Sequence, residues 1–238
     1  TGALHRRGAR RDRGRRCALS RRGGDPARFG ARHVLSGRAA AEHAVADRRC
    51  GDERRARTTS PKQYPSFEEF RSALFAMPSG SEIERRNQAL MAYLLLTGAR
   101  DSAAIGLKMN DVDSSRNFVF QNPRHAKTKF SKAIDTFFYP VGDDVAAIFK
   151  TWVSLLTREK GFGPDDPVFP KTIVHTDTDQ KFAAMGIGRT HWATAEPVRK
   201  CFKDAFGRIG LPYSEPHRVR DTLIAYGYSL GLGAEQMK

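Results

Sequence analysis

The chain changes character at Ser60, and that break limits what can fold. Residues 1–60 carry 17 Arg, no Lys and 6 acidic residues, a formal net charge of +11. Residues 61–238 carry 12 Arg, 12 Lys and 20 acidic residues, a net of +4. Most of the total of +15 therefore sits in the first quarter. Six large apolar side chains occur there: Leu4, Leu19, Phe29, Val34, Leu35 and Val45. So few cannot bury enough surface to offset the backbone entropy of ordering the segment, about 1–2 kcal/mol per residue. The reading is an irregular Arg/Ala/Gly-rich segment over 1–60 and a globular domain over 61–238.

Three origins compete for the first segment. An arginine arm would gain from counterion release at each phosphate it neutralises. A transit peptide is Arg-rich but poor in acids, and six acids oppose it. Arg, Ala, Gly and Pro supply 37 of the sixty residues, and they are the residues of G+C-rich codons. A shifted reading frame, or an upstream stretch foreign to the domain, accounts best for 17 Arg without one Lys.

The overall charge makes a polyanion the first partner to consider. No run of 18 apolar residues exists, so no membrane span is expected. Cys17, Cys50 and Cys201 are odd in number and far apart. They offer neither a disulfide framework nor a CxxC site, which fits a reducing cytoplasm. The seven His are scattered, with no HExxH or carboxylate cluster, so no metal or other cofactor is expected.

From Pro61 the pattern is that of a mainly α domain with one small antiparallel sheet, an α+β class. Ser66–Glu69 and Ser81–Glu84 read as capping boxes opening two helices. The first buries Phe67, Phe70, Leu74 and Met77. The second buries Ile83, Leu90, Tyr93 and Leu94, and stops near Gly98. A short helical stretch is expected over Ser102–Leu107. Asn117–Phe120 and Ala133–Tyr139 read as strands flanking a basic hairpin tip with Lys127, Lys129 and Lys132. Val145, Ile148, Trp152 and Leu155 mark another helix. Residues 161–194 read mostly as loop, with a short strand at Pro167–Pro170. Val198–Ile209 is helical, and a last helix starts near Pro216 and loosens around Gly231.

Taken one at a time, the basic residues on this scaffold have ordinary explanations. Arg100 fits a solvated charge beyond a helix end. His217 and Arg220, at i and i+3, fit a surface pair. The lysines fit a solvated turn. In their order along the chain they resemble the catalytic domain of the tyrosine recombinases, the phage-integrase family. Thr97-Gly-Ala-Arg100 through Leu107, then Asp111-Val-Asp113, is similar to the family's first arginine block. Ala126-Lys127-Thr128 resembles its hairpin lysine, followed by a strand ending at Tyr139-Pro140, Asp166–Pro170 resembles its strand before the variable loop, and Pro216-His217 through Gly231 its HxxR helix. The resemblance spans about 62–238.

This resemblance implies cutting and rejoining of double-stranded DNA by transesterification through a 3′-phosphotyrosyl intermediate, without metal or nucleotide. It implies that Arg100 and Arg220 hold the phosphate. Lys127 would protonate the leaving oxygen, with Lys129 and Lys132 as fallbacks, and His217 would hydrogen-bond the phosphate. The family nucleophile lies on a helix beyond HxxR, and Lys238 comes 18 residues after Arg220. Tyr226 and Tyr228 lie on the HxxR helix itself, and His191-Trp192 precedes it. The expectation is therefore a domain truncated before its nucleophile, inactive by itself. Full-length members act as oligomers on DNA; a monomer is expected here.

The acid that family members commonly place three residues after the first arginine is replaced by Ala103, with Asp101 as substitute. Two other readings stay open: a non-catalytic DNA-binding or interaction protein with this fold, and a type IB topoisomerase relative. The nucleotide sequence tests the break at Ser60. Another frame upstream of Pro61 is expected to encode protein-like sequence, and frames encoding nothing of the kind would remove the frame-shift reading.

Overall fold

The computed structural model describes residues 63–126, 128–176, 182–233 and 235. The expectations for residues 1–60 and for Lys127 lie outside the described residues, as does the Lys129 side chain. Ser66 opens helix α1 (Phe67–Phe75). Its Oγ accepts the Glu69 N–H at 3.2 Å, and the Glu69 carboxylate accepts the Ser66 N–H at 2.7 Å. Ser81 and Glu84 repeat the device at the start of α2 (Glu82–Thr97), at 3.2 and 2.8 Å. Each box satisfies two backbone N–H groups that a helix start leaves orphaned.

From Ala89 to Thr97 every residue of α2 is buried. A helix apolar on all sides needs cover on all sides. The cover comes from α1, α4 (Asp143–Ser154), α5 (Glu196–Arg208) and α6 (Arg218–Ser229), with strands β3 (Ile134–Phe137) and β5 (Phe182–His191). Phe70 meets Phe202 and Phe206 edge-on at 6.2 and 5.1 Å between centroids, and Tyr93 tilts against Phe149 and Phe169. Such aromatic pairs contribute about 0.5–1.5 kcal/mol each beyond the area they bury. Burial pushes the Cys201 thiol up to about 12, so it stays protonated and packs as a small apolar group. Ile83, expected in the core, is half-buried, because the first turn of α2 surfaces where Glu82 pairs with Lys160.

The expected hairpin forms as β2 (Phe118–Gln121) and β3, with Phe118 opposite Phe137 and Val119 opposite Thr136. A short strand, β1 (Val112–Asp113), joins it in the antiparallel order β1-β2-β3. The Tyr139 N–H donates to Leu96 O at 2.8 Å and ties the end of this sheet to α2. Helix α3 (Asp101–Ala104) is shorter than the stretch expected over Ser102–Leu107.

Residues 161–194 differ from expectation. They contain a second, two-stranded antiparallel ribbon of β4 (Pro170–Thr176) and β5, so the domain has two small sheets among the described residues. The strand expected at Pro167–Pro170 is reduced to an isolated bridge of Pro167 with Lys108 and a buried connector that enters β4 at Pro170. Its Val168 N–H donates to Leu107 O at 3.0 Å, and Val168 O accepts the Trp152 indole N–H at 2.8 Å. The ribbon carries two register shifts, and Phe182 and Met185 on it are exposed, so it lacks the alternation that marks a strand in sequence.

Arg86 holds the ribbon on α2. Its Nη1 donates to Pro170 O at 2.8 Å and Thr172 Oγ1 at 2.9 Å, and its guanidinium lies 4.6 Å over the Trp192 ring. Burial lowers its pKa to about 10, which leaves it charged at neutral pH. Among the described residues no helix is long and apolar enough to cross a membrane. Arg86→Ala is expected to lower the unfolding free energy by about 1.5–3 kcal/mol, as for a lost charge-assisted network. Arg86→Lys recovers part of it, since an ammonium cannot both fork and stack; urea denaturation measures both.

Candidate functional site

Two residue types set the turn that ends α2. Thr97 Oγ1 donates to Tyr93 O at 2.7 Å and accepts the Ala99 N–H at 3.2 Å. Gly98 takes φ 58° and ψ 20°, a left-handed cap that a side chain would strain, and its N–H donates to Leu94 O at 2.8 Å. The chain then leaves the helix and presents Arg100 immediately before α3. Helix α6 comes in against this bare turn. A Cβ on Gly98 would lie 3.4 Å from Leu223 Cδ1 and 3.9 Å from both Arg220 Cγ and Tyr139 Cε2. The same glycine thus supplies the backbone angle and the space that brings the stem of Arg220 to the Arg100 turn.

Arg100 and Arg220 line one open cleft of about 820 Å³, together with Thr128, Lys132 and Tyr139. Crowding by the cleft walls, and then the positive charge of Arg100, push the Arg220 pKa below the ordinary arginine value. Asp135 also lines the cleft, and the acids next to the arginines in sequence are engaged elsewhere. Asp101 pairs with Arg199 at 3.4 Å, and Asp221 with Arg218 at 3.1 Å. Among the described residues neither cleft guanidinium is paired with a carboxylate. Asp101, expected to stand in for the missing orienting acid, is therefore held by another arginine.

A second close approach positions the hairpin connection. A Cβ on Gly106 would lie 2.3 Å from His125 O and 2.9 Å from Ala126 Cα, so the backbone leading to Lys127 is pressed onto the residues that follow Arg100. His125 Nε2 lies 2.7 Å from Asp111 Oδ2, and that carboxylate also accepts the Lys108 N–H at 2.9 Å. Lys127 itself is outside the described residues.

His217 stands at the start of α6 with its Nδ1 3.1 Å from Glu215 Oε2, and it does not line the cleft. Tyr226 stacks on Phe67 with centroids 3.9 Å apart, and Tyr228 is exposed; neither lines the cleft. His191 Nδ1 lies 2.8 Å from Ile105 O, and Trp192 is buried beneath Arg86. The structure therefore brings Arg100, Arg220 and Lys132 together and leaves His217 at the edge of α6. Tyr139 is the cleft residue that sequence reasoning missed. It follows two phenylalanines at a strand end, where alternation cannot say which ring faces which way.

Two planar, permanently charged donors lining one cleft, neither ion-paired among the described residues, have the chemistry to bind a bidentate anion such as a phosphate, and Asp135 lines the cleft with them. Among the described residues no group of three His, Cys, Asp or Glu is placed to hold a metal ion.

No protein-family model matches the chain, and no curated protein matches it. Among solved structures it resembles XerA recombinase, at 16% identity and a TM-score of 0.53, over 76% of this chain and 55% of that one. A structure of the Tn1549 transposon integrase in complex with circular intermediate DNA matches at 16% identity and a TM-score of 0.48, over 76% of this chain and 58% of that one. The chain thus spans just over half the length of these structures. Its fold is that of a tyrosine recombinase catalytic domain, mainly helical with small antiparallel sheets.

The two glycines should respond differently. Gly98→Ala is expected to cost about 1 kcal/mol, the penalty of a left-handed alanine. Gly106→Ala must move backbone and is expected to cost about 1–3 kcal/mol or more. Thermal melts of the two variants check the order.

Proposed function

We propose that the domain is the phosphate-binding catalytic portion of a DNA-cleaving tyrosine recombinase, with a backbone phosphate of duplex DNA held between Arg100 and Arg220. The observation that carries this reading is that two guanidiniums line one cleft and neither is ion-paired with a carboxylate among the described residues. A phosphodiester under attack gathers negative charge on its non-bridging oxygens. A preorganised donor aimed at such charge is worth about 3 kcal/mol of transition-state stabilisation.

The other roles follow the resemblance. Lys127 protonates the leaving 5′ oxygen, a transfer made easier by neighbouring positive charge, which disfavours the protonated amine. Lys129 and Lys132 are the fallbacks, and Lys132 lines the cleft. His217 donates to the phosphate, which requires it to exchange Glu215 for that ligand. Tyr226 and Tyr228 are packed or exposed away from the arginines and are not the nucleophile in this reading.

A second reading, duplex binding without strand cleavage, is favoured by the placement of His217 on Glu215. The arginines separate the two. In the recombinase reading, Arg100→Ala and Arg220→Ala each reduce the slope of log affinity against log salt by about 1, the signature of one lost phosphate contact. A salt titration of duplex binding followed by fluorescence anisotropy measures it. Salt-dependent binding that neither substitution alters would favour a recombinase fold that binds DNA elsewhere. No covalent adduct is expected through Tyr226 or Tyr228 on a nicked suicide duplex, and an adduct mapped to either residue would overturn that assignment.

A further inference from the structure

The loop that leads into α6 also lines a second groove, of about 760 Å³. Its walls include Tyr64, Glu69, Tyr213, Ser214, Glu215 and Arg218. Both tyrosines are exposed, at 44% and 45%. Ser214 is buried at 6% exposure, and its Oγ has no hydrogen-bond partner among the described residues. A buried hydroxyl left in that state is costly, so a ligand that donates to it gains.

The field in this groove is negative. Burial, and then the charge of Glu215, hold the Tyr213 phenol above the ordinary tyrosine value. Glu196 and Asp101 act in the same direction, and Arg199 opposes them. Arg218, a cation on the wall, is already paired with Asp221 at 3.1 Å. An anion entering the groove meets the carboxylates of Glu69 and Glu215. An apolar segment would strip water from Glu215 and replace it with nothing. A lysine would meet the charge but could not stack on the rings as a guanidinium does. The chemistry that fits is arginine's: a planar cation for the tyrosines, and N–H donors for Glu215 and Ser214.

Glu215 also links this groove to the arginine cleft. Its Oε2 lies 3.1 Å from His217 Nδ1, and both side chains are more than half exposed. An exposed pair of this kind holds weakly and is open to exchange. His217 stands one turn before Arg220, on the helix that carries Arg220 to the cleft.

We propose that the groove receives an arginine side chain of a partner protein segment, whose guanidinium takes the Glu215 carboxylate from His217 and frees the imidazole for the phosphate. The release of His217 rests on the phosphate reading of the cleft; occupation of the groove does not, and it is measured without DNA. The probe is acetyl-Ala-Arg-Ala-amide, titrated into the isotope-labelled full chain and followed by NMR. Saturable shifts are expected in the Ser214 and Glu215 amides and in the His217 imidazole. The citrulline peptide, a neutral isostere, and Glu215→Gln protein are each expected to bind about 3- to 10-fold more weakly, as for a partly exposed bidentate pair. Tyr213→Ala is expected to weaken binding about 2- to 5-fold. Equal binding of the citrulline peptide, or undiminished binding by Glu215→Gln, would overturn the groove as an arginine site.

Duplex affinity tests the link. Glu215→Gln is expected to tighten duplex binding up to about 5-fold, the range for opening an exposed pair, and to do so less in a His217→Ala background. No gain, or an equal gain in both backgrounds, would overturn the release of His217. If Arg100→Ala and Arg220→Ala leave duplex affinity unchanged, the phosphate reading falls and takes that release with it, while the peptide titration still decides the groove.

Discussion

Burial of α2 is the constraint on which the rest of the domain depends. Nine consecutive residues, Ala89–Thr97, are shielded from water, and no amphipathic compromise is open to such a helix. Four other helices and strands of both sheets are drawn in to cover it. A fully buried helix must also leave its core through a defined exit, since its last carbonyls need partners. The Thr97-Gly98 turn is that exit, and it is where Arg100 emerges. Core and cleft are therefore linked: what holds α2 in place also fixes the origin of the first arginine.

The cleft works by imbalance. The positive charge of Arg100 disfavours that of Arg220, and the acids adjacent to each in sequence are bound to Arg199 and Arg218. An anion between the guanidiniums would remove that repulsion. Contrast Arg86, a buried arginine that also has no carboxylate partner among the described residues. Its donors are taken by Pro170, Thr172 and Asn87 and its face by Trp192, so it is spent on structure. Two arginine environments, one saturated and one unsaturated, separate scaffold from site more clearly than bulk charge does. The net +4 of residues 61–238 is unremarkable for a domain of that size.

Legibility varied with the range of the forces involved. The capping boxes at Ser66 and Ser81 and the stop at Gly98 were readable because each is closed by partners within four residues. The β4–β5 ribbon was not, because its exposed Phe182 and Met185 and its register shifts erase the period that marks a strand. Its place depends on Arg86, which lies far away along the chain. Gly106 fell inside the helical stretch expected over Ser102–Leu107, yet it lies just past α3 where the hairpin backbone makes its close approach, a role visible only once His125 is seen against it.

The sequence by itself determined the break at Ser60, the helices and their caps, the central hairpin, and the order in which Arg100, the hairpin lysines, His217 and Arg220 occur. These follow from composition and from interactions among near neighbours. Tertiary structure alone decided that Arg100, Arg220, Lys132 and Tyr139 share one cleft and that His217 turns to Glu215 instead. Those outcomes turn on how closely α6 and the hairpin approach the turn after α2. That distance is set by side chains missing at Gly98 and Gly106 and by the packing of segments remote in sequence, which no local pattern encodes.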